Sequence, residues 1–177
     1  MTIHSSHPFR DAEADPVRSL RARMGGAVTL WTSGGTTESP RAGLTVSSVM
    51  VAGGEPGRIL ALLDPDSDLR SVLGSTGRAV VHLLRWGHRD LAEAFAGQTP
   101  APGGPFTLGE WEQTEHGPVL LSAGGRAVVE LESATETGWS DLVVTRVVSV
   151  ELDDDPADSG SRAALEHRRG RYLRPGT

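Results

Sequence analysis

The chain has 177 residues and carries 17 Lys or Arg against 23 Asp or Glu, a formal net charge of -6. That length suits one domain with a sizeable core, and the acidic balance argues against a nucleic-acid partner. The absence of cysteine excludes disulfides, thiolate nucleophiles and cysteine-ligated zinc. No stretch nears the roughly 20 apolar residues of a membrane span, and the polar opening MTIHSSHPFRDAEADP lacks the apolar centre of a secretory signal.

Residues 1–14 are polar and aperiodic and read as a mobile arm, leaving 15–177 as the folded domain. Asp15-Pro16 opens a helix, Asp as N-cap and Pro in the first turn. Val17, Leu20 and Met24 follow at helical spacing, and Gly25-Gly26 ends it. AVTLWTS (27–33) predicts a strand, GGTTESPRAG a loop, and GLTVSSVMVAG (43–53) a second strand. That strand places Thr45 and Ser47 where a solvent face normally carries charge. RILALLD (58–64) is a near-continuous apolar run, the pattern of a buried strand. Ser67 caps a helix over DLRSVLGST that Gly77 stops. RAVVHLL (78–84) predicts a strand, HRDLAEAFAG (88–97) a helix, and PAPGGPF a loop. GRAVVELESATE (125–136) and SDLVVTRVVSVEL (140–152) are long strands around Thr137-Gly138. The acidic DDDPADSGS is a loop, and AALEHRRGRYLRP (163–175) a final strand. Many strands and few short helices give an all-β barrel with helical decoration.

The chemical signals are sparse. Six histidines occur, but only His4 and His7 are close together, and a metal site wants several ligands on rigid elements. His82 reads as a core histidine that packs or hydrogen-bonds within the barrel. The HRRGRY segment is basic, and an exposed strand face is favoured there over a phosphate contact. Asp153, Asp154 and Asp155 lack EF-hand spacing and read as a solvated loop. Trp31, Trp86, Trp111 and Trp139 read as core or interface residues, with a place beside a flavin-sized pocket as the alternative. No GxSxG, P-loop or strand-flanked GxGxxG is present.

Taken in order, the segments resemble the flavin reductase-like family, whose members fold as FMN-binding split barrels. VRSLRARMGGAVTLWTS is similar to the family's opening helix and strand, and GLTVSSV to its Gly-Met-Thr-Val-(Ser/Asn)-Ser-Phe strand. GRAVVHLL, LAEAFAG, HGPVLLSAGGRAVVELE and the closing EHRRGRY each resemble a family segment, so the likeness covers roughly residues 17–174. Agreement of several weak signals in the right order is what gives the assignment weight.

The resemblance implies a mainly β, FMN-binding split β-barrel with short helices. It implies that Gly43, Leu44, Thr45, Ser47 and Ser48 line the flavin ring, that Leu62, Leu63 and Asp64 lie beneath it, that Ser67 is near the phosphate end, and that Phe95 closes that side. It further implies FMN as cofactor, NADH or NADPH as co-substrate, a homodimer with the flavin at the interface, a monooxygenase component as partner, and a cytoplasmic location. No membrane or nucleic-acid partner is implied. Three departures stand out. Asp66 and Asp68 put negative charge where the family binds the FMN phosphate, with Arg70 as a compensating cation. His82 replaces an Asn. Gly138-Trp139-Ser140 replaces Gly-Asp-His, whose His lies near the nicotinamide, which predicts slow hydride transfer. Two other readings stay open: a non-catalytic FMN- or small-ligand-binding barrel, and a degenerate barrel serving as an interaction module.

Overall fold

The computed structural model describes residues 15–153 and 163–174; the N-terminal arm, Asp154, Asp155 and most of the acidic loop lie outside them. Three helices form, two of them where side-chain caps specify them. In α1 (Pro16–Met24) the Asp15 carboxylate accepts from the Val17 amide. In α2 (Asp68–Thr76) Ser67 accepts from the Arg70 amide, and Gly77 closes the helix in the left-handed region at φ 68°. The third, α3 (Arg89–Phe95), follows a short 3-10 turn at Trp86–His88.

The strands are β1 (Gly26–Ala27), β2 (Thr29–Ser33), β3 (Ala42–Val46), β4 (Val49–Ala52), β5 (Arg58–Leu63), β6 (Arg78–Leu83), β7 (Trp111–Thr114), β8 (Gly117–Leu120), β9 (Gly125–Thr137), β10 (Ser140–Leu152), β11 (Glu166–Arg168) and β12 (Arg171–Leu173). Seven form one antiparallel sheet in the order β3-β2-β6-β9-β10-β5-β4. Its two edges, β3 and β4, are consecutive in sequence and joined only by Ser47 and Ser48. Seven flat strands would span about 29 Å, whereas the three peptide steps from Val46 to Val49 reach about 10 Å. The sheet must therefore curl until its edges meet, and that closure is the split barrel. Register shifts in β10 at Val144/Thr145 and Val147/Ser149 supply the local bending that curling needs.

Trp31, Val46, Leu63, Val81, Val129 and Val143 fill the barrel, and α2 adds Leu69, Val72 and Leu73. A second cluster lies on the outer face, where Leu30, Leu91, Phe95, Leu120 and Leu165 pack together. Because β2 serves both clusters, all five of its residues are buried. The sequence reading is corrected at four places. The predicted 27–33 strand breaks at Val28, the 43–53 strand breaks at Ser47-Ser48, the final strand is the hairpin β11–β12, and the hairpin β7–β8 was not expected. The apolar run of β5 alternates between buried and half-buried positions rather than being buried throughout.

Candidate functional site

The strand β3 explains the small polar residues that precede the gap. Its inward side chains, Ala42 and Val46, belong to the barrel cluster, and half-buried Leu44 packs against it. Gly43 and Thr45 meet α3 instead. The Thr45 hydroxyl donates to the Ala92 carbonyl at 2.7 Å. A Cβ on Gly43 would lie 2.6 Å from Phe95 Cε1, so the glycine lets the Phe95 ring approach the strand. Phe95 in turn meets Phe106 and Trp111 edge-to-face, with centroids 4.9 and 5.7 Å away. Gly43, Thr45 and Phe95 are thus brought together as the seam between β3 and α3.

Ser47 and Ser48 differ. Both are half-buried, and neither hydroxyl has a hydrogen-bond partner among the described residues. The Ser48 carbonyl accepts from the Leu62 amide at 3.1 Å, which sets β5 beside the gap. Upstream, the buried Thr29 hydroxyl donates to the Val46 carbonyl at 2.7 Å and accepts from Trp31 Nε1 at 3.2 Å. That pair pins the last residue of β3 before the chain leaves the sheet. Sequence reasoning missed Thr29, and its only local signal was a threonine within an apolar strand.

Beyond Leu62 the chain turns toward α2. Leu63 is fully buried in the barrel, so its side chain cannot sit beneath a ring at the gap and only its backbone is available there. The exposed Asp64 accepts from the Asp66 amide at 2.9 Å. The Ser67 hydroxyl donates to the Asp64 carbonyl at 2.7 Å and caps α2. Asp66 and Asp68 are exposed at this helix start. Arg70, read as the cation offsetting them, is committed elsewhere: its Nε lies 2.7 Å from Asp141 on β10, with side chains only 22% and 18% exposed. Strand pairing of Asp141 with Leu63 brings the neighbouring Gly138-Trp139 turn to the same end of the barrel. Trp139 is 67% exposed. It belongs to a two-residue turn rather than to a strand, so strand alternation does not direct its ring away.

The remaining residues singled out from sequence are structural. His82 is fully buried. Its Nε2 accepts from the Leu120 amide at 3.1 Å, so Nδ1 carries the proton and donates to the Leu30 carbonyl at 2.9 Å. Burial pushes its pKa down to about 4, against the raising effect of the Leu30 bond. His88 is also lowered by burial and by Arg85, and it accepts from the Arg85 amide at 3.0 Å. Trp31 fills the barrel, Trp111 joins the outer cluster, and Trp86 lies between Arg89 and Arg174, at 4.1 and 5.0 Å.

The fold is that of a recognised class. The flavin reductase-like domain model matches residues 21–175, and the chain therefore belongs to the flavin reductase-like family, a class of flavin oxidoreductases built on the split barrel. Among its relatives, the FMN reductase (NADH) RutF of Stutzerimonas stutzeri is 28% identical over 138 residues, covering 77% of this chain and 78% of that protein. The reductase component of 4-hydroxyphenylacetate 3-monooxygenase from Pseudomonas aeruginosa is 26% identical over 137 residues, 76% and 79% of the two chains. Among solved structures, the NADH:FAD oxidoreductase SgcE6 of Streptomyces globisporus superposes with a TM-score of 0.78 over 100% of both chains at 19% identity.

Proposed function

We propose that this protein reduces FMN with NADH or NADPH and hands the reduced flavin to a monooxygenase component. The observation that carries the site is the Ser47-Ser48 gap: two half-buried hydroxyls with no partner among the described residues, on a stretch without long side chains, beside the β5 edge. The residues fit a flavin there. Ser47 and Ser48 would hold the polar edge of the ring, half-buried Leu44 and Leu62 would offer it apolar contact, and Asp64 and Ser67 would flank the phosphate end. When bound, the flavin supplies the hydride-accepting chemistry. The chain's own part is to bind the ring, orient it and exclude water. Asp66 and Asp68 weaken the phosphate end, and Trp139 supplies an aromatic face at the rim in place of the family's histidine.

A homodimer is part of this reading. Val150 and Leu152 share one face of β10 and, with Val148 at the register shift, are 55%, 65% and 46% exposed. Such an apolar strand face is the mark of an interaction surface, and two-fold pairing is the commonest way to cover one. A cytoplasmic location follows from dependence on a nicotinamide pool. The second reading, a barrel that binds FMN without efficient hydride transfer, is favoured by Ser140 at the position of the family's histidine.

The experiment is a visible spectrum of the purified protein with added FMN, followed by anaerobic NADH and NADPH consumption. Bound flavin and nicotinamide-dependent bleaching are expected, with FMN binding about tenfold weaker in a Ser47→Ala, Ser48→Ala variant, the scale of one or two lost hydrogen bonds. Flavin binding without bleaching selects the second reading. No binding of flavin overturns both.

A further inference from the structure

A second set of charges lies at the C-terminal hairpin. Arg18, Arg21 and Arg23 on α1, with Arg168, Arg169, Arg171 and Arg174 on or beside β11–β12, are seven of the chain's 17 basic residues. The fold packs them together, because the Arg169 amide donates to the Ala22 carbonyl at 2.7 Å and Arg168 Nε to the Arg23 carbonyl at 3.1 Å. Two adjoining hollows share Arg169. One, of about 540 Å3, is lined by Arg168, Arg171 and Leu173. The other, of about 430 Å3, lies against Ser19, Ala22 and Arg23. Among the described residues, no carboxylate lies within ion-pair distance of Arg21, Arg23, Arg168, Arg169 or Arg171.

The turn itself carries the strongest sign. Arg169 has φ 52° and is the one non-glycine residue with positive φ among those described; Gly170 follows at φ 74°. A two-residue turn of this shape normally takes Asn or Gly first, and an arginine there accepts a conformational cost. The backbone contact to Ala22 would be kept by asparagine. Only the guanidinium would be lost.

The position is informative. Gly26 pairs with His167 on β11, and a Cβ on Gly26 would lie 3.2 Å from the Ser47 carbonyl. Strand β11 is therefore one strand spacing, about 5 Å, beyond β1, which itself borders the serine gap, and the Arg169 turn lies two residues past His167. The cleft has the size of a small-molecule site, which runs roughly 300–1,000 Å3, and guanidinium forks match phosphate oxygens in pairs. We propose that this arginine cleft holds the diphosphate of a dinucleotide whose ring lies at the Ser47-Ser48 gap. The inference rests on the flavin reductase reading for the ring, but the anion site can be tested without it.

Calorimetric titration with ADP, in the absence of flavin, is the direct test. The wild type is expected to bind ADP, and Arg169→Asn, whose side chain suits the turn, to bind it at least tenfold more weakly with an undiminished melting temperature. Arg171→Ala should act in the same direction. The source of the diphosphate is read by two further arms. Loss of affinity for FAD and, more weakly, for FMN, with riboflavin unchanged, assigns it to the flavin and moves the phosphate end from Asp64 and Ser67 to the arginines; a raised KM for NADH or NADPH with FMN affinity unchanged assigns it to the nicotinamide. Failure of ADP to bind, equal binding by wild type and Arg169→Asn, or arginine-dependent binding of an oligonucleotide but not of ADP would each overturn the proposal. Because ADP contains neither ring, absence of flavin binding leaves this result standing on its own.

Discussion

At the scale of single residues, Gly43 and Phe95 act as one unit. An alanine at 43 would set its Cβ 2.6 Å from the Phe95 ring, which is overpacking and costs about 1–3 kcal/mol. Gly43→Ala should lower the urea midpoint without changing the slope, and adding Phe95→Leu should restore part of the loss. An unchanged midpoint would mean the ring does not press on the strand. His82 makes a second prediction. The unfolded chain binds a proton near the ordinary value of 6.5, whereas the folded protein does so only near about 4. The stability held by neutral His82 is therefore complete above pH 6.5 and is lost as pH falls toward 4, a difference of about 3 kcal/mol. His82→Gln should flatten this part of the stability profile in denaturation measured at pH 7 and pH 4.5. Equal slopes in both proteins would show that another group carries the acid sensitivity.

At the scale of elements, the start of α2 is a compromise. Its exposed amides and helix dipole favour an anion, but Asp68 already sits in the first turn and Arg70 is engaged by Asp141. Asp68→Ser should tighten FMN several-fold and leave riboflavin unchanged, since only FMN carries the phosphate; equal gains in a fluorescence titration would remove the phosphate from this end. The same element shows what the sequence made legible. Ser67, Gly77, Asp15 and Pro16 are local cap signals, so α1 and α2 were found with their limits, and the alternation of β9 and β10 is long enough to fix both strands. The strand break at Ser47-Ser48 was not legible, because two small polar residues in a row fit within a single strand and the cause is closure between distant edges. The β11–β12 turn was hidden because Arg169-Gly170 lacks the usual asparagine. Gly43, Thr45 and Phe95 were named together from sequence, but their shared task is packing β3 on α3. That the Leu63 side chain faces inward was not legible, because the pairing of β5 with β10 and β4, not its own neighbours, decides which side is buried.

At the scale of the whole molecule, the exposed apolar stretch of Val148, Val150 and Leu152 on β10 calls for a covering surface. Light scattering should give about twice 18.7 kDa, and Val150→Glu should shift the population toward monomer and weaken flavin binding. A stable wild-type monomer with full flavin affinity would contradict this. The two-residue join between the sheet edges has a dynamic consequence. An ordinary edge strand frays because one end is free, but here each edge strand is tethered at its shared end by the other. The Leu62 amide, bonded to the Ser48 carbonyl at 3.1 Å, sits at that tether. Its hydrogen exchange should therefore be as slow as that of the central strands, requiring global rather than local opening, while amides of the peripheral β7–β8 hairpin exchange sooner. If Leu62 exchanges with the hairpin, the ring opens on its own, and the ligand gap is a gate rather than a fixed part of the wall.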